Sequence, residues 1–201
     1  MTPDTEHPFL LAFLAAALGS YCVRELPTKQ LDPFNTRWLA ATTKMYVIER
    51  GIVRQTHLVT HGGQHMSENL ARSLSWDFEK AERVKREHGM LDSSAYSTDE
   101  NDKIKTALLS TLERVFSEAN RVLLSYGKRY NKNVSHTILT GGGASLPGIA
   151  LRAKELLQTE AEIANPFGRT ETPAFLDEVL HTIGPGFAVA VGLALRELRH
   201  A

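Results

Sequence analysis

Three consecutive glycines that follow a short apolar run are the part of this chain best suited to bind a ligand. Residues 136–140 predict a strand, Gly141, Gly142 and Gly143 follow it, and a helix is predicted from Pro147. Glycine has no Cβ, so the backbone can turn sharply and approach a ligand closely. The start of the helix supplies unpaired N–H groups and the positive end of its dipole. The turn therefore suits a nucleotide, and a tight crossover turn without a ligand is the alternative.

Other residues with reactive or metal-binding side chains form less specific patterns. Ser145 lacks the flanking glycines of a nucleophile elbow, and we predict that it caps the helix that starts near Pro147. His57, His61 and His65 are evenly spaced, but they extend across a strand end, a Gly-Gly turn and a helix start. No cysteine or pair of carboxylates completes that set. We therefore predict neither a catalytic residue nor a metal site.

Alternating strands and helices must position the glycine turn. Two arms rich in β-branched residues on either side of Gly51 predict a β-hairpin over residues 44–59. The alternation in the last third of the chain favours an α/β sheet with helices packed on it. The predicted helices cover residues 67–74, 77–88, 97–127, 147–157 and 187–198, with a further strand at 161–164.

Local signals define several helix ends. Gly89 is suited to follow the end of the second helix. Ser97 and Glu100 have the spacing of a capping box at the start of the long helix, and Gly127 is predicted to end it. The last helix is apolar along most of its length, which predicts that it is buried.

The composition is that of a soluble globular protein. The chain has 201 residues, 42% hydrophobic and 23% charged, with a net charge of +0, which favours neither nucleic acid nor an acidic membrane surface. The one cysteine, Cys22, excludes an internal disulfide and suits a reducing cytoplasm. The apolar run at 9–18 is too short to span a bilayer, and Asp4 and Glu6 before it do not form a basic leader. A buried helix is predicted there.

Several motifs together resemble the actin-like ATPases, in the branch that contains the FtsA and PilM families. The glycine turn is similar to their adenosine-side turn. Further similarities to PilM are the paired glycines, an Ala-Glu-x-x-Lys helix and the closing segments, at residues 62–63, 81–85, 163–167 and 183–196. The resemblance extends from Thr42 to Arg196 and implies the C-terminal half of such a protein.

The resemblance implies an α/β fold of the actin-like (ribonuclease H-like) type, with a mixed sheet, packed helices and a helical insert. Residues 1–43 would be a degenerate or truncated remnant of the first half, a helix plus an altered phosphate loop. Residues 44–62 and 134–201 would form an α/β subdomain that carries the glycine turn. Residues 63–133 would form the helical insert.

The same resemblance implies a nucleotide site with ATP as its ligand. By position, it would comprise Thr42, Thr43, Glu82, Lys85, Gly141, Gly142, Gly143, Ala144 and Ser145. A carboxylate such as Glu82 can accept hydrogen bonds from ribose hydroxyls, and the stem of Lys85 can lie along the base. The alternative is a surface ion pair, since these two residues are three apart on a helix.

The second phosphate loop departs from the pattern of the family. Arg37 stands where the magnesium-linked Asp belongs, and Leu39 stands where a Gly belongs. Arg cannot hold a Mg²⁺ water, and the Cβ of Leu blocks close approach to phosphate. No first phosphate loop precedes Pro8. We therefore expect ATP binding without a clear role for Mg²⁺ and without catalytic turnover.

The resulting hypothesis is a PilM-like cytoplasmic component of type IV pilus assembly, an actin-like nucleotide-binding scaffold at the inner membrane complex. The resemblance implies a PilN-like cytoplasmic tail and other pilus assembly proteins as partners, although the peptide groove of that family lies in the N-terminal half. Self-association is a further expectation, and nucleic acid is not expected as a partner. One alternative is an FtsA-like cell-division filament protein, disfavoured because no basic amphipathic helix follows Leu198. The other is an active ATPase or sugar kinase, disfavoured by the missing acidic residues.

Overall fold

A mixed five-stranded sheet forms the base of the structure. The computed structural model describes residues 9–15, 41–50, 52–168 and 170–198. The strands lie in the order β3-β2-β1-β4-β5. The β1–β2 and β2–β3 pairs are antiparallel, whereas β1–β4 and β4–β5 are parallel. The bounds are β1 (Phe9–Ala15), β2 (Thr43–Glu49), β3 (Ile52–Val59), β4 (His136–Gly141) and β5 (Glu160–Ile163).

Helices follow β3, β4 and β5 along the chain. Those between β3 and β4 are α1 (Gly63–Leu74), α2 (Phe78–Glu87) and α3 (Thr98–Tyr130). The helix α4 (Ile149–Leu157) connects β4 to β5, and α5 (Asp177–Leu198) is the last described element. Short 3₁₀ turns lie at Gly142–Ser145 and Ala174–Leu176.

The core lies between one face of the sheet and the helices that follow β3. Alternate residues of β2 point into it, and Met45 and Val47 are fully buried. One stripe of α3 faces them, and its buried residues include Leu108, Leu112 and Phe116. The periodicity of 3.6 residues thus places one side of a 33-residue helix against the hairpin and α1.

Several predictions from local signals are confirmed. The hairpin pairs Thr43 with Val59 and Glu49 with Ile52. Ser97 accepts a hydrogen bond from the backbone of Glu100, whose side chain returns to the Ser97 amide, as a capping box requires. In each case, residues close together in sequence determine the geometry.

The apolar run near the start of the chain is a strand, so the predicted helix is wrong over Phe9–Ala15. These residues pair along their length with both β2 and β4 and form the middle of the sheet. A strand bordered on both sides in this way can be apolar without alternation, and such a run is indistinguishable from a short buried helix by pattern alone. Residues 1–8 and 16–40, which include Cys22, Arg37 and Leu39, lie outside the described part.

Two other predictions about helices need correction. Gly127 does not end α3, which continues to Tyr130 and closes at Asn131 in the left-handed conformation. The last helix starts earlier than predicted and is largely exposed, with Phe187 49% exposed. By length and composition alone, the segment Ala174–Arg196 could also cross a membrane.

Candidate functional site

The register of the sheet brings two of the predicted site residues, Thr43 and Gly141, to one edge. The parallel strands β1 and β4 both end there, and the antiparallel β2 begins there. Ala15 is paired with Thr43 on one side and with Gly141 on the other. Thr43 and Gly141 are therefore two strand spacings apart, roughly 10 Å. In open α/β sheets, ligands bind outside the carboxyl ends of the parallel strands. We call this border of the sheet the carboxyl edge.

The glycine turn lies at the carboxyl edge and continues β4. Gly141 has φ 86°, a conformation that residues with a Cβ rarely adopt. Gly142, Gly143, Ala144 and Ser145 then form the 3₁₀ turn, in which Ala144 is buried and Gly142 is exposed. A Cβ built on Gly142 would meet no described atom within 4 Å. Within the described residues, neither backbone strain nor packing therefore requires glycine at position 142, whereas close approach of a ligand would.

The loop after β3 reaches the same edge. Thr42 is half-buried just before β2, and the Thr43 hydroxyl donates a hydrogen bond to the carbonyl of His61 at 2.7 Å. Gly62 is the N-cap residue of α1, and its amide donates to Nδ1 of His65 at 3.3 Å. This connection holds the N-terminus of α1 beside the beginning of β2.

Glu82 and Lys85 are joined to the start of α1 rather than forming an isolated surface pair. Lys85 Nζ donates to the Gly63 carbonyl at 3.0 Å, to Ser67 Oγ at 2.9 Å and to Glu82 Oε2 at 2.6 Å. Ser67 Oγ also donates to Glu82 Oε2, at 2.5 Å, and Arg86 Nε donates to Oε1 at 2.7 Å. We call Gly63, Ser67, Glu82 and Lys85 the Glu82 clamp. It connects α2 to the first turn of α1.

The clamp keeps Glu82 ionised. Burial alone would raise the pKa of its carboxyl, but the hydrogen bonds from Lys85, Ser67 and Arg86 outweigh burial and lower the pKa to about 2. Burial also lowers the pKa of the Lys85 ammonium, and the Glu82 carboxylate opposes that shift. The pair is thus a carboxylate and an ammonium, each held by partners on two helices.

The loop after α2 packs on the residues that follow the glycine turn. The Met90 amide donates to the Pro147 carbonyl at 2.9 Å, and Gly89 lies so close to Pro147 that a Cβ would come within 2.6 Å of its carbonyl oxygen. Gly148 packs in turn against Met90. The helix that carries Glu82 is therefore fastened to the segment that carries the turn.

The predicted cap at Ser145 is wrong. Gly148 is the N-cap residue of α4, and no side chain caps that helix. Ser145 instead closes the 3₁₀ turn, where its hydroxyl donates a long hydrogen bond, 3.5 Å, to the carbonyl of Thr182 on α5. Its side chain remains exposed at the carboxyl edge.

His57 has a different partner from His61 and His65. His57 Nε2 lies 3.3 Å from Glu118, whereas the His61 ring lies 5.0 Å from that of His65 and 3.2 Å from Arg114 Nη1. Burial, then Arg114 and His65, lower the pKa of His61. Over the described ranges, three His, Cys, Asp or Glu side chains nowhere group as metal ligands do.

Ser67 was missed by the sequence reasoning. It lies within an amphipathic helix and is completely buried, and its hydroxyl lies at the centre of the clamp. A serine in a helix gives no signal of its own. The pairing of α1 with α2 shows its role, and that pairing depends on tertiary packing.

The chemistry of these groups fits a nucleoside better than a metal-bound triphosphate. The Glu82 carboxylate is engaged by Lys85, Ser67 and Arg86, so it is not free to bind a cation. The open space at Gly142 and the acceptor capacity left on Glu82 instead suit a sugar and a base.

The order of the sheet, the glycine turn after β4 and the helices inserted after β3 define an actin-like fold. Among solved structures, the PilM-PilN type IV pilus biogenesis complex aligns with a TM-score of 0.69 and 25% identity, over 95% of this chain and 47% of that one. MreB5 of Spiroplasma citri bound to ADP aligns with a TM-score of 0.58 and 14% identity, over 80% of this chain and 51% of that one. The second likeness concerns the fold alone.

Sequence comparison shows the family. The profile described as "Cell division protein FtsA" matches residues 40–192, so the chain belongs to the FtsA family. The FtsA of Rhizobium meliloti (strain 1021) is 30% identical over 175 residues, which cover 77% of this chain and 38% of that protein. The FtsA of Escherichia coli (strain K12) is 23% identical over 201 residues, which cover 89% and 46%. The chain thus spans less than half the length of the curated relatives it matches.

Proposed function

We propose that the carboxyl edge binds an adenine nucleoside or nucleotide, with most of the affinity coming from the adenosine part. The observation that carries this proposal is the convergence of Thr43, the glycine turn and the Glu82 clamp at one edge of the sheet. Its ligand-contacting residues would be Thr42, Thr43, Glu82, Gly141, Gly142, Gly143, Ala144 and Ser145, with Lys85 beside them. The ADP bound to MreB5, a protein of the same fold, is consistent with this type of ligand.

Isothermal calorimetry with ATP, ADP and adenosine, each with and without Mg²⁺, tests the proposal. We expect comparable, weak binding of all three and little effect of Mg²⁺, because the described edge offers a site for the nucleoside but no free carboxylate for a metal. Micromolar, Mg²⁺-dependent binding of ATP would contradict the adenosine-led account. No binding of any of them would contradict nucleotide binding altogether.

We also propose that the protein acts as an actin-like scaffold in type IV pilus assembly rather than as an enzyme with turnover. The likeness to PilM in its complex with PilN supports this role and suggests a PilN-like cytoplasmic tail and other pilus assembly proteins as partners. The protein would be cytoplasmic and held at the inner membrane by these partners. Residues 44–62 and 134–201 would form its α/β subdomain, and residues 63–133 its helical insert.

The second candidate role is in cell division, and the family profile and the FtsA relatives favour it. Deletion of the gene in its own organism separates the two roles. Loss of pili with normal division supports pilus assembly, whereas long undivided cells with normal pili support the role in division. Both roles are compatible with nucleotide binding at the carboxyl edge, so the calorimetric experiment stands independently.

A further inference from the structure

His61 and His65 lie at the start of α1, and each ring has a partner that fixes which nitrogen carries a proton. The Gly62 amide can only donate, so the Nδ1 atom of His65, 3.3 Å away, must accept. The Arg114 guanidinium likewise has donors only, so the Nε2 atom of His61, 3.2 Å from Nη1, must accept. Both rings are therefore neutral in this geometry, with the proton on Nδ1 in His61 and on Nε2 in His65.

Protonation of either ring would remove its hydrogen bond. An imidazolium has a proton on both nitrogens, so a donor would then face the donor of Gly62 or Arg114. The new charge would also lie beside the other ring, whose centroid is 5.0 Å away, and at the positive end of the α1 dipole. Burial, then Arg114 and His65, lower the pKa of His61, so the folded structure loses stability as the pH falls below the ordinary value of 6.5.

The other charged groups near the pair leave this repulsion in place. They are two carboxylates and one cation: Glu68 on α1, Glu118 on α3 and Lys85 on α2. The carboxylates are engaged by Gln64 and His57. Lys85 donates to the carbonyl of Gly63 in the first turn of α1, so it adds positive charge near the two rings.

The loop that carries His61 connects three elements. Its backbone carbonyl accepts the hydrogen bond from Thr43 at the start of β2. Its ring contacts Arg114 of α3 and the ring of His65 of α1. Loss of the two imidazole hydrogen bonds would therefore loosen this connection, which lies next to the carboxyl edge.

We propose that His61 and His65 form a pH-sensitive latch: as neutral rings they hold the loop between β3 and α1 against β2 and α3, and when protonated they release it. We call these two residues the histidine latch. Because the loop borders the carboxyl edge, its release also weakens the binding of a ligand there, and this second effect rests on the proposed function. The release of the loop depends only on the contacts of the two rings.

The ¹⁵N chemical shifts of the imidazole rings in NMR spectra test the protonation states. The two rings are assigned from the variants His61→Gln and His65→Gln. At about pH 7.5 we expect opposite tautomers, with Nδ1–H in His61 and Nε2–H in His65. A proton on Nε2 of His61 or on Nδ1 of His65 at that pH would overturn the proposal, because that nitrogen could not accept a hydrogen bond.

Hydrogen exchange of the Gly62 amide measures the release itself. In the unmodified protein we expect its protection, relative to that of the core amide of Leu112, to fall about three- to tenfold between about pH 7.5 and about pH 5.5, the cost of one hydrogen bond. His65→Gln supplies the acceptor that a capping box uses and that does not titrate, so it should keep the amide protected at both values. His65→Ala should leave the amide at the low-pH level throughout. Protection that does not change with pH in the unmodified protein would overturn the latch, as would an unchanged pH response in His65→Gln.

His57→Gln is the matched control. The ring of His57 donates to the Glu118 carboxylate and can keep that hydrogen bond when it is protonated. The pH response of the Gly62 amide should therefore be the same in His57→Gln as in the unmodified protein. Loss of the response in this variant would show that it does not come from His61 and His65 and would overturn the proposal.

Calorimetry with adenosine at the same two pH values tests the effect on the carboxyl edge. We expect the unmodified protein to bind adenosine about three- to tenfold more weakly at the lower pH, and the protein with both His61→Gln and His65→Gln to bind it equally at both. Equal binding by the unmodified protein at both values, with the Gly62 amide released, would overturn the effect on the ligand. Binding at neither value would contradict the proposed function itself, whereas the exchange of the Gly62 amide decides the latch independently.

Discussion

Glu82 makes the stability of the packed helices depend on pH. Its pKa in the folded protein is about 2, below the ordinary value of 4.5, because its three hydrogen-bond donors outweigh the effect of burial. A lowered pKa adds stability above the ordinary value, and this contribution is lost as the pH falls from about 4.5 towards 2. We expect the difference in unfolding free energy between the unmodified protein and Glu82→Gln to shrink by at most about 3 kcal/mol over that window.

Chemical denaturation at a series of pH values measures this difference. The other carboxylates with lowered pKa values, such as Glu49 and Glu160, are present in both proteins, so their effects cancel. A difference that stays constant between pH 6 and pH 2.5 would show that Glu82 is not held as an ion by its partners.

Substitutions at Gly142 distinguish an effect on ligand binding from an effect on the stability of the fold. Because a Cβ there meets no described atom within 4 Å, and the residue does not have positive φ, Gly142→Ala and Gly142→Val should cost the folded protein little. Both should weaken adenosine binding, the valine more, since its branched Cβ occupies the space into which a ligand would approach. Thermal denaturation and calorimetry measure the two effects. Unchanged affinity in a folded Gly142→Val protein would reduce the turn to a structural crossover.

At the scale of the elements, replacement by alanine should change the stability of the protein in opposite directions at two glycines, one just after α2 and one inside α3. Gly89 has φ 53°, and a Cβ would lie 2.6–2.8 Å from Pro147 atoms, so Gly89→Ala should destabilise the protein by about 2 kcal/mol or more. Gly127 lies inside α3, where a Cβ has ordinary contacts no closer than 3.4 Å. Gly127→Ala should therefore stabilise by about 0.5–1 kcal/mol.

Denaturant unfolding of these two variants is a matched comparison. Gly89→Ala should in addition weaken any adenosine binding, because the contact with Pro147 connects α2 to the glycine turn. Equal stability of the two variants would mean that the loop after α2 does not pack on the turn as described.

The elements that could be predicted from sequence are those specified by residues close together in the chain. The hairpin, the Ser97 capping box and the Gly89 helix end follow from turn and cap chemistry. The strand β1 could not be predicted, because a continuous apolar run has no period that separates a strand from a helix. The exposure of α5 was missed for a related reason: an apolar helix indicates that a partner surface exists without showing where that surface is.

In the candidate site, too, some residues could be predicted from the sequence and others could not. The glycine turn could be predicted from residue type and spacing. The spacing of Glu82 and Lys85 alone indicates the ion pair that the structure contains, and their assignment to the site came from the resemblance. The role of Ser67 and the engagement of Lys85 in three internal hydrogen bonds depend on how α1 packs against α2. No local sequence pattern predicts that packing. The loop at residues 37–39, assigned by resemblance to the phosphate side of the site, lies outside the described part and stays a prediction.

At the scale of the whole molecule, α5 leaves a large apolar surface open. Val179, Ile183 and Phe187 are four residues apart and are each about half exposed. Apolar patches of this kind promote association. We expect concentration-dependent oligomers that Ile183→Ser with Phe187→Ser reduces, whereas Leu151→Ser, at an exposed position on α4, does not. Light scattering measures this, and a monomer at all concentrations would contradict the expectation.

The position of β1 in the sheet determines how deletion of residues 1–35 should affect folding. If residues 9–18 were a helix on the surface, deletion of residues 1–35 would relieve association. Since Phe9–Ala15 lies between β2 and β4, the deletion should instead remove the middle of the sheet and abolish cooperative unfolding. Thermal denaturation of the truncated chain tests this. A sharp unfolding transition at the original temperature would show that β1 is not part of the sheet.

We propose above all that the carboxyl edge of the sheet is an adenosine site. Titration of adenosine into the ¹⁵N-labelled protein, followed by amide chemical shifts in NMR spectra, tests it most directly. We expect the largest shifts at Gly141, Gly142, Gly143 and Ser145, with further shifts at Glu82 and at Gly63, at the start of α1. Shifts confined to other surfaces, such as the exposed face of α3 around Leu124, or no shifts at millimolar adenosine, would contradict it.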